Sequence, residues 1–243
     1  EYTGDKPNDH YIINGYHFIM ISPDGGNYLT SFSYLKNELA KAKADTGNKP
    51  IFVFFHHPIK DTFYVSEEWN GNVPKSIFKE YPMAVTFSGH IHSPNNHPRS
   101  IWQGSKEKGD REVFTAVNTV SQYYFEMEKG YEDNTYPDKN EDCRQPLIVE
   151  AEGTKVTIKT FDLVSGEWIN QVWTFDTSKP DNFPYTDKRY DQSKPPVFDE
   201  NANLSIEPDK RSVNITIDQA KVGEGSVEAV SYTHLRAHET PEH

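Results

Sequence analysis

Four of the chain's ten histidines fall in two tight groups, His56-His57-Pro58 and Gly89-His90-Ile91-His92. With 14 glycines and 10 histidines in 243 residues, a Gly-His-x-His arises by chance 14 × (10/243)², about 0.02 times, so the pattern asks for a chemical reason. Neutral imidazole is the commonest nitrogen ligand for zinc, iron and manganese. In extended chain, His90 and His92 sit two residues apart and their side chains can diverge toward two neighbouring ions. Gly89 lets the backbone turn sharply before them. His56, leaving a neighbouring strand, can approach the same edge, and Pro58 ends strand pairing just beyond it.

The flanking residues supply the strands this geometry needs. Ile51–Phe55 is five consecutive apolar residues, β-branched and aromatic, the pattern of a strand buried on both faces, and it runs directly into His56. Residues 83–88 form a second short apolar strand that runs into Gly89. Between and before them, Phe32, Leu35, Leu39 and Ala42 recur on one helical face behind Ser31, and 74–80 reads as a short helix with Pro at its first turn. Residues 10–13 and 16–22 flank Asn14-Gly15, the strongest short hairpin signal. His10 and His17 there read as ordinary strand residues. Alternating helix and buried strand is α/β grammar, and in such sheets ligands collect beyond the carboxyl ends of the strands. Both histidine groups are placed at that edge.

From residue 101 to 175 the pattern turns to strands, expected at 113–117, 122–128, 147–150, 156–161 and 171–175. Turns are expected at Glu152-Gly153 and Ser165-Gly166, and a polar loop at 131–144. Residues 179–196, rich in Asp, Lys, Tyr and Pro, read as a linker. Residues 203–206 and 212–217 then read as the first strands of an Ig- or fibronectin-like β module spanning 197–229, too short to close a sandwich of about 100 residues.

His56-His57-Pro58, followed about 30 residues later by Gly89-His90-Ile91-His92, resembles the last two motif blocks of the calcineurin-like metallophosphoesterases. The resemblance covers residues 1 to about 178. It implies an α/β fold, the C-terminal part of a layered α/β/β/α sandwich, and two divalent or trivalent metal ions (Mn, Fe or Zn) acting on a phosphate mono- or diester. His56 and His90 would ligate one ion and His92 the other. His57 would orient a ligand or contact phosphate, unless it is a packed or surface histidine. Asn95, His97 and Arg99 would line the pocket, Arg99 offering its planar fork to phosphate, unless they belong to a solvated loop. The family's earlier blocks, D-x-H, then G-D, then G-N-H-D/E, have no counterpart in that order here. Without a bridging carboxylate, three histidines do not assemble two ions about 3.5–4 Å apart. A truncated domain without turnover is therefore the expectation, with Ile51–Phe55 and 83–87 presenting an exposed edge or face. Two other readings remain open: a mononuclear three-histidine zinc-binding or structural module, and a β-rich adhesion fragment with incidental histidines.

Composition narrows the partners. The net charge of −12 argues against a nucleic-acid or anionic-membrane surface, and an anionic small molecule would bind only where metal ions reverse the local sign. Hydrophobic residues are 35% of the chain, but fourteen Tyr and fourteen Phe suffice for a core. The single cysteine, Cys143, excludes an internal disulfide framework and an all-cysteine zinc site. No stretch reaches the length of a membrane span. An appended β module points to the cell envelope or exterior by fold-level analogy. Residues 230–240 resemble the translation of a transposon-type sequencing adapter, so the natural frame is expected to end near Ala229 and 230–243 to be a foreign tail.

Overall fold

The computed structural model describes residues 7–23, 28–68, 73–95, 97–122, 144–191, 197–209 and 212–218. The expectations for a strand at 122–128, a loop at 131–144 and a foreign tail at 230–243 lie almost wholly outside them. The chain divides into two compact units, Glu1–Lys188 and Arg189–His243.

In the first unit, β1 (Asp9–Ile13) and β2 (Tyr16–Met20) form an antiparallel hairpin closed by the pair Ile13 and Tyr16. Asn14 and Gly15 hold φ of 52° and 74°, the left-handed pair that a two-residue turn requires. α1 (Phe32–Thr46) buries Leu35, Leu39 and Ala42 as their spacing dictates. Ser31 does not cap it with its side chain; its hydroxyl donates instead to the Ser22 carbonyl at 3.0 Å. β3 (Ile51–Phe55), β4 (Ala84–Ser88), β5 (Ile101–Gln103) and β6 (Thr115–Asn118) complete a sheet of order β1-β2-β3-β4-β6-β5. β2, β3, β4 and β6 are mutually parallel, with antiparallel β1 and β5 at the edges. The short helix expected at 74–80 is a single 3-10 turn, Lys75–Phe78.

Period-two alternation sorts the central strands onto two cores. Ile51, Val53 and Phe55 pack with Leu35, Leu39 and Ala42 of the helix. Phe52, Val85, Phe87 and Val117 point the other way, onto Val156, Ile158, Trp173 and Phe175. Those last residues belong to an antiparallel meander of β7 (Leu147–Glu152), β8 (Lys155–Asp162) and β9 (Glu167–Asp176). It turns at Gly153 and Gly166, with φ of 60° and 74°. The unit is therefore mixed α/β and mostly strand, with a helix on one face of the larger sheet and a second sheet on the other. β3 and β4 lie at its centre and are buried on both faces, so the exposure expected of them is not found.

β5 was not among the strands expected, and two packing features were not anticipated either. The stretch read as a linker from 179 begins as packed chain. Phe183 is buried against Phe175, and the Tyr185 N–H donates to Gln103 Oε1 while its carbonyl accepts the Gln103 N–H, both at 3.0 Å. Aromatic anchors in a polar run bind residues 183–185 to the edge of the sheet. The hairpin histidines are also more than strand filler. His10 Nδ1 lies 2.6 Å from Glu38 of α1, His10 Nε2 lies 2.8 Å from His17 Nδ1, and His17 Nε2 lies 2.8 Å from Asp45 of α1. This polar chain clasps the hairpin to the helix.

The second unit contains β10 (Leu204–Asp209) and β11 (Ser212–Ile217), an antiparallel pair where the first strands of a β module were expected.

Candidate metal centre

β3 and β4 end in register, Phe55 beside Ser88, so the chain leaves the sheet at two adjacent points of its carboxyl edge. The two exits are tied together. The His56 carbonyl accepts the N–H of Gly89 at 3.1 Å and of His90 at 3.0 Å. From the turn after β6, both the N–H and the hydroxyl of Thr119 bind the Ser88 carbonyl, at 2.8 and 3.0 Å. A Cβ at residue 89 would stand 3.0 Å from that hydroxyl oxygen, so Gly89 permits a close approach; the sharp turn expected of it is not found, since it is not among the glycines of positive φ. Further along the loop, Asn118 donates to the Ser93 carbonyl at 3.0 Å and accepts from the Val120 N–H at 3.3 Å. Val120 holds φ of 60°, strained for a β-branched residue and of a kind that clusters at functional sites.

Under the other exit lies Tyr28, fully buried. Its hydroxyl accepts the backbone N–H of His56 at 2.9 Å and of His57 at 3.2 Å and stands 3.4 Å from His57 Nδ1. Spacing carries no sign of this residue, because it comes from an element 28 positions upstream.

These supports gather three imidazoles. His56 Nε2 and His90 Nδ1 are 3.0 Å apart. The His57 ring lies 4.6 Å from that of His90 and 5.0 Å from that of His56. One ring nitrogen from each of the three lies within 4.8 Å of the others, a cluster that can hold a metal ion. The donor chemistry fits: two imidazole nitrogens at about 2.0–2.1 Å from one ion can stand as close as His56 and His90 do. Burial, with the neighbouring charges of His57, His56 and His92, pushes His90 down to about 4. Burial and the His56 charge also lower His57. Both rings are therefore neutral at pH 7, the form a metal binds.

Of the expected ligands, His56 and His90 converge. His92 is half-buried on the same loop, near enough for its charge to act on His90, but outside the three-nitrogen cluster. His57 stands there instead. Asn95 is fully buried, and its N–H donates to Gln145 Oε1 at 3.0 Å, which makes it part of the loop's interior. Arg99 is half-buried with its guanidinium 5.9 Å over the Tyr64 ring, and the His97 ring lies tilted against the same ring at 4.2 Å. Tyr64 was not anticipated, and the adjacency of His97 and Arg99 gives no hint of it. Scanned against models of known protein families and against curated proteins, the chain matches none.

Proposed function

We propose that this chain carries the C-terminal metal ligands of a binuclear-metal phosphoesterase of the calcineurin-like class, hydrolysing a phosphate mono- or diester. The observation that carries the reading is the meeting of His56 Nε2 and His90 Nδ1 at 3.0 Å, from motifs 34 residues apart, at the carboxyl ends of adjacent parallel strands. The helix, sheet and second sheet stacked in the first unit agree with three layers of an α/β/β/α sandwich. In this reading His56 and His90 hold one ion and His92 belongs to its neighbour. When bound, the metal pair supplies an activated water and neutralises charge on the phosphoryl oxygens. The protein's part is to fix the imidazoles neutral and in place, and to give an anionic ester one point of entry on a chain of net charge −12.

The chain has no counterpart of the family's carboxylate-bearing blocks, so metal affinity without turnover is expected of it. Zinc or manganese titrated into the protein should bind by calorimetry, His90→Ala should abolish that binding, and an aryl phosphodiester should not be hydrolysed above a metal-only control. Hydrolysis lost in His90→Ala would show that the chain already holds a competent site. A second reading, a single ion on three histidines, draws on the cluster of His56, His57 and His90. It requires His57→Ala to weaken zinc binding as much as His90→Ala does.

A further inference from the structure

The hydrogens around Tyr28 can be counted. A phenol oxygen has two acceptor positions and one O–H. Both acceptor positions are taken, by the N–H groups of His56 and His57 at 2.9 and 3.2 Å. What remains is the O–H, and the remaining partner is His57 Nδ1 at 3.4 Å. The opposite arrangement would put a third donor on one oxygen and leave the hydrogen of a fully buried phenol without an acceptor, which costs free energy. The count therefore makes Nδ1 the acceptor, and a neutral imidazole with an accepting Nδ1 carries its hydrogen on Nε2.

We infer that Tyr28 is a positioning residue that locks His57 in its Nε2–H tautomer, making His57 the hydrogen-bond donor of the centre, aimed at a phosphate-type oxygen, and not a third metal ligand. The inference rests on the phosphoesterase reading for the identity of the acceptor; the tautomer stands on geometry alone. With Nδ1 taken by the Tyr28 hydroxyl and Nε2 carrying hydrogen, neither nitrogen of His57 can ligate in this form, so metal falls to His56 and His90 while the ring 4.6 Å from His90 carries an N–H. Metal and donor side by side suit a ligand that is anionic and rich in oxygen, and they separate two roles that three clustered imidazoles otherwise share.

The test is a long-range proton–nitrogen NMR spectrum of the protein labelled with ¹⁵N-histidine, recorded metal-free and with saturating zinc. The expected result is hydrogen on His57 Nε2 in both states, with zinc shifting His56 and His90. Hydrogen on Nδ1 of His57 in either state overturns the inference. If zinc does not bind, the metal-free tautomer still decides the matter, and the failure counts against the phosphoesterase reading alone. Tyr28→Phe should mix the two His57 tautomers while leaving the circular dichroism spectrum native; an unchanged tautomer would show that Tyr28 does not set it. In zinc-loaded protein, His57→Ala should weaken inorganic phosphate by about tenfold without loss of zinc. His57→Gln, whose amide can donate from nearly the same place, should restore phosphate binding. Loss of zinc in His57→Ala, with no rescue by glutamine, would make His57 a ligand.

Discussion

Gly89 answers a steric constraint, and it can be tested directly. A methyl group there would stand 3.0 Å from Thr119 Oγ1, and that hydroxyl is itself held by the Ser88 carbonyl, so it cannot swing aside without losing a bond. Gly89→Ala should therefore displace the start of the His90 loop and weaken zinc by about tenfold or more, the cost typical of disturbing a ligand's support. Thr119→Ala in the same chain removes the colliding oxygen and should recover most of the affinity, read by calorimetry. His56 and His90 were legible because each follows directly from a short apolar strand, and parallel neighbours deliver their ends to one edge. The place of His57 was not, because a tyrosine from a distant element sets it. Nor was the placing of His92, since spacing in an extended segment says nothing of how the chain bends after Gly89.

Elements with a repeating period were read close to their limits, α1 from its buried stripe and the first hairpin from Asn14-Gly15; the meander was read from its glycine turns, although β9 begins at Glu167, four residues before the stretch expected at 171–175. What failed were features that depend on partners, such as Ser31 bonding to Ser22 and Phe183 anchoring a stretch of linker-like composition. The clasp between hairpin and helix belongs to this class and has a measurable signature. Burial opposes ionisation of Glu38, but Lys41 at 2.6 Å and His10 outweigh it and hold the carboxyl below its usual range. A depressed carboxylate contributes stability that is present above its unfolded value of 4.5 and is lost as pH falls through the lower folded value. Thermal melts from pH 7 to 3 should show stability dropping in the acid part of that range. Glu38→Gln should be less stable at pH 7 and flatter below 4.5, and an identical acid slope in the variant would assign the effect to other carboxylates.

Among the described residues of the first unit, the larger sheet packs on both faces, while one face of the meander carries exposed apolar side chains. Ile148 and Val172 both pair with Lys159 and so share a face of β7, β8 and β9, and they are 43% and 50% exposed, with Trp168 at 53%. Exposed apolar side chains in a row on one sheet face favour association. The apolar exposure expected of the central strands is thus found on this face instead. Val172→Thr with Trp168→Thr should reduce light scattering at high concentration without lowering the melting temperature, since neither side chain lies in a core.

The two ends of the centre come from parallel strands, and parallel neighbours cannot be joined by a tight turn. The crossover between β3 and β4 must close, and its strands register, before His56 and His90 can come within 3.0 Å. Such non-local pairing is slow to form, so the metal has nothing to grip until the sheet is nearly complete. In kinetic terms zinc should leave the refolding rate unchanged and slow unfolding. At about a hundredfold over its dissociation constant the gain is about 2.7 kcal/mol, or close to a hundredfold in unfolding rate if all of it falls on that limb. Stopped-flow chevrons with and without zinc would separate the arms, and a faster folding limb would mean that the two loops meet before the sheet that carries them.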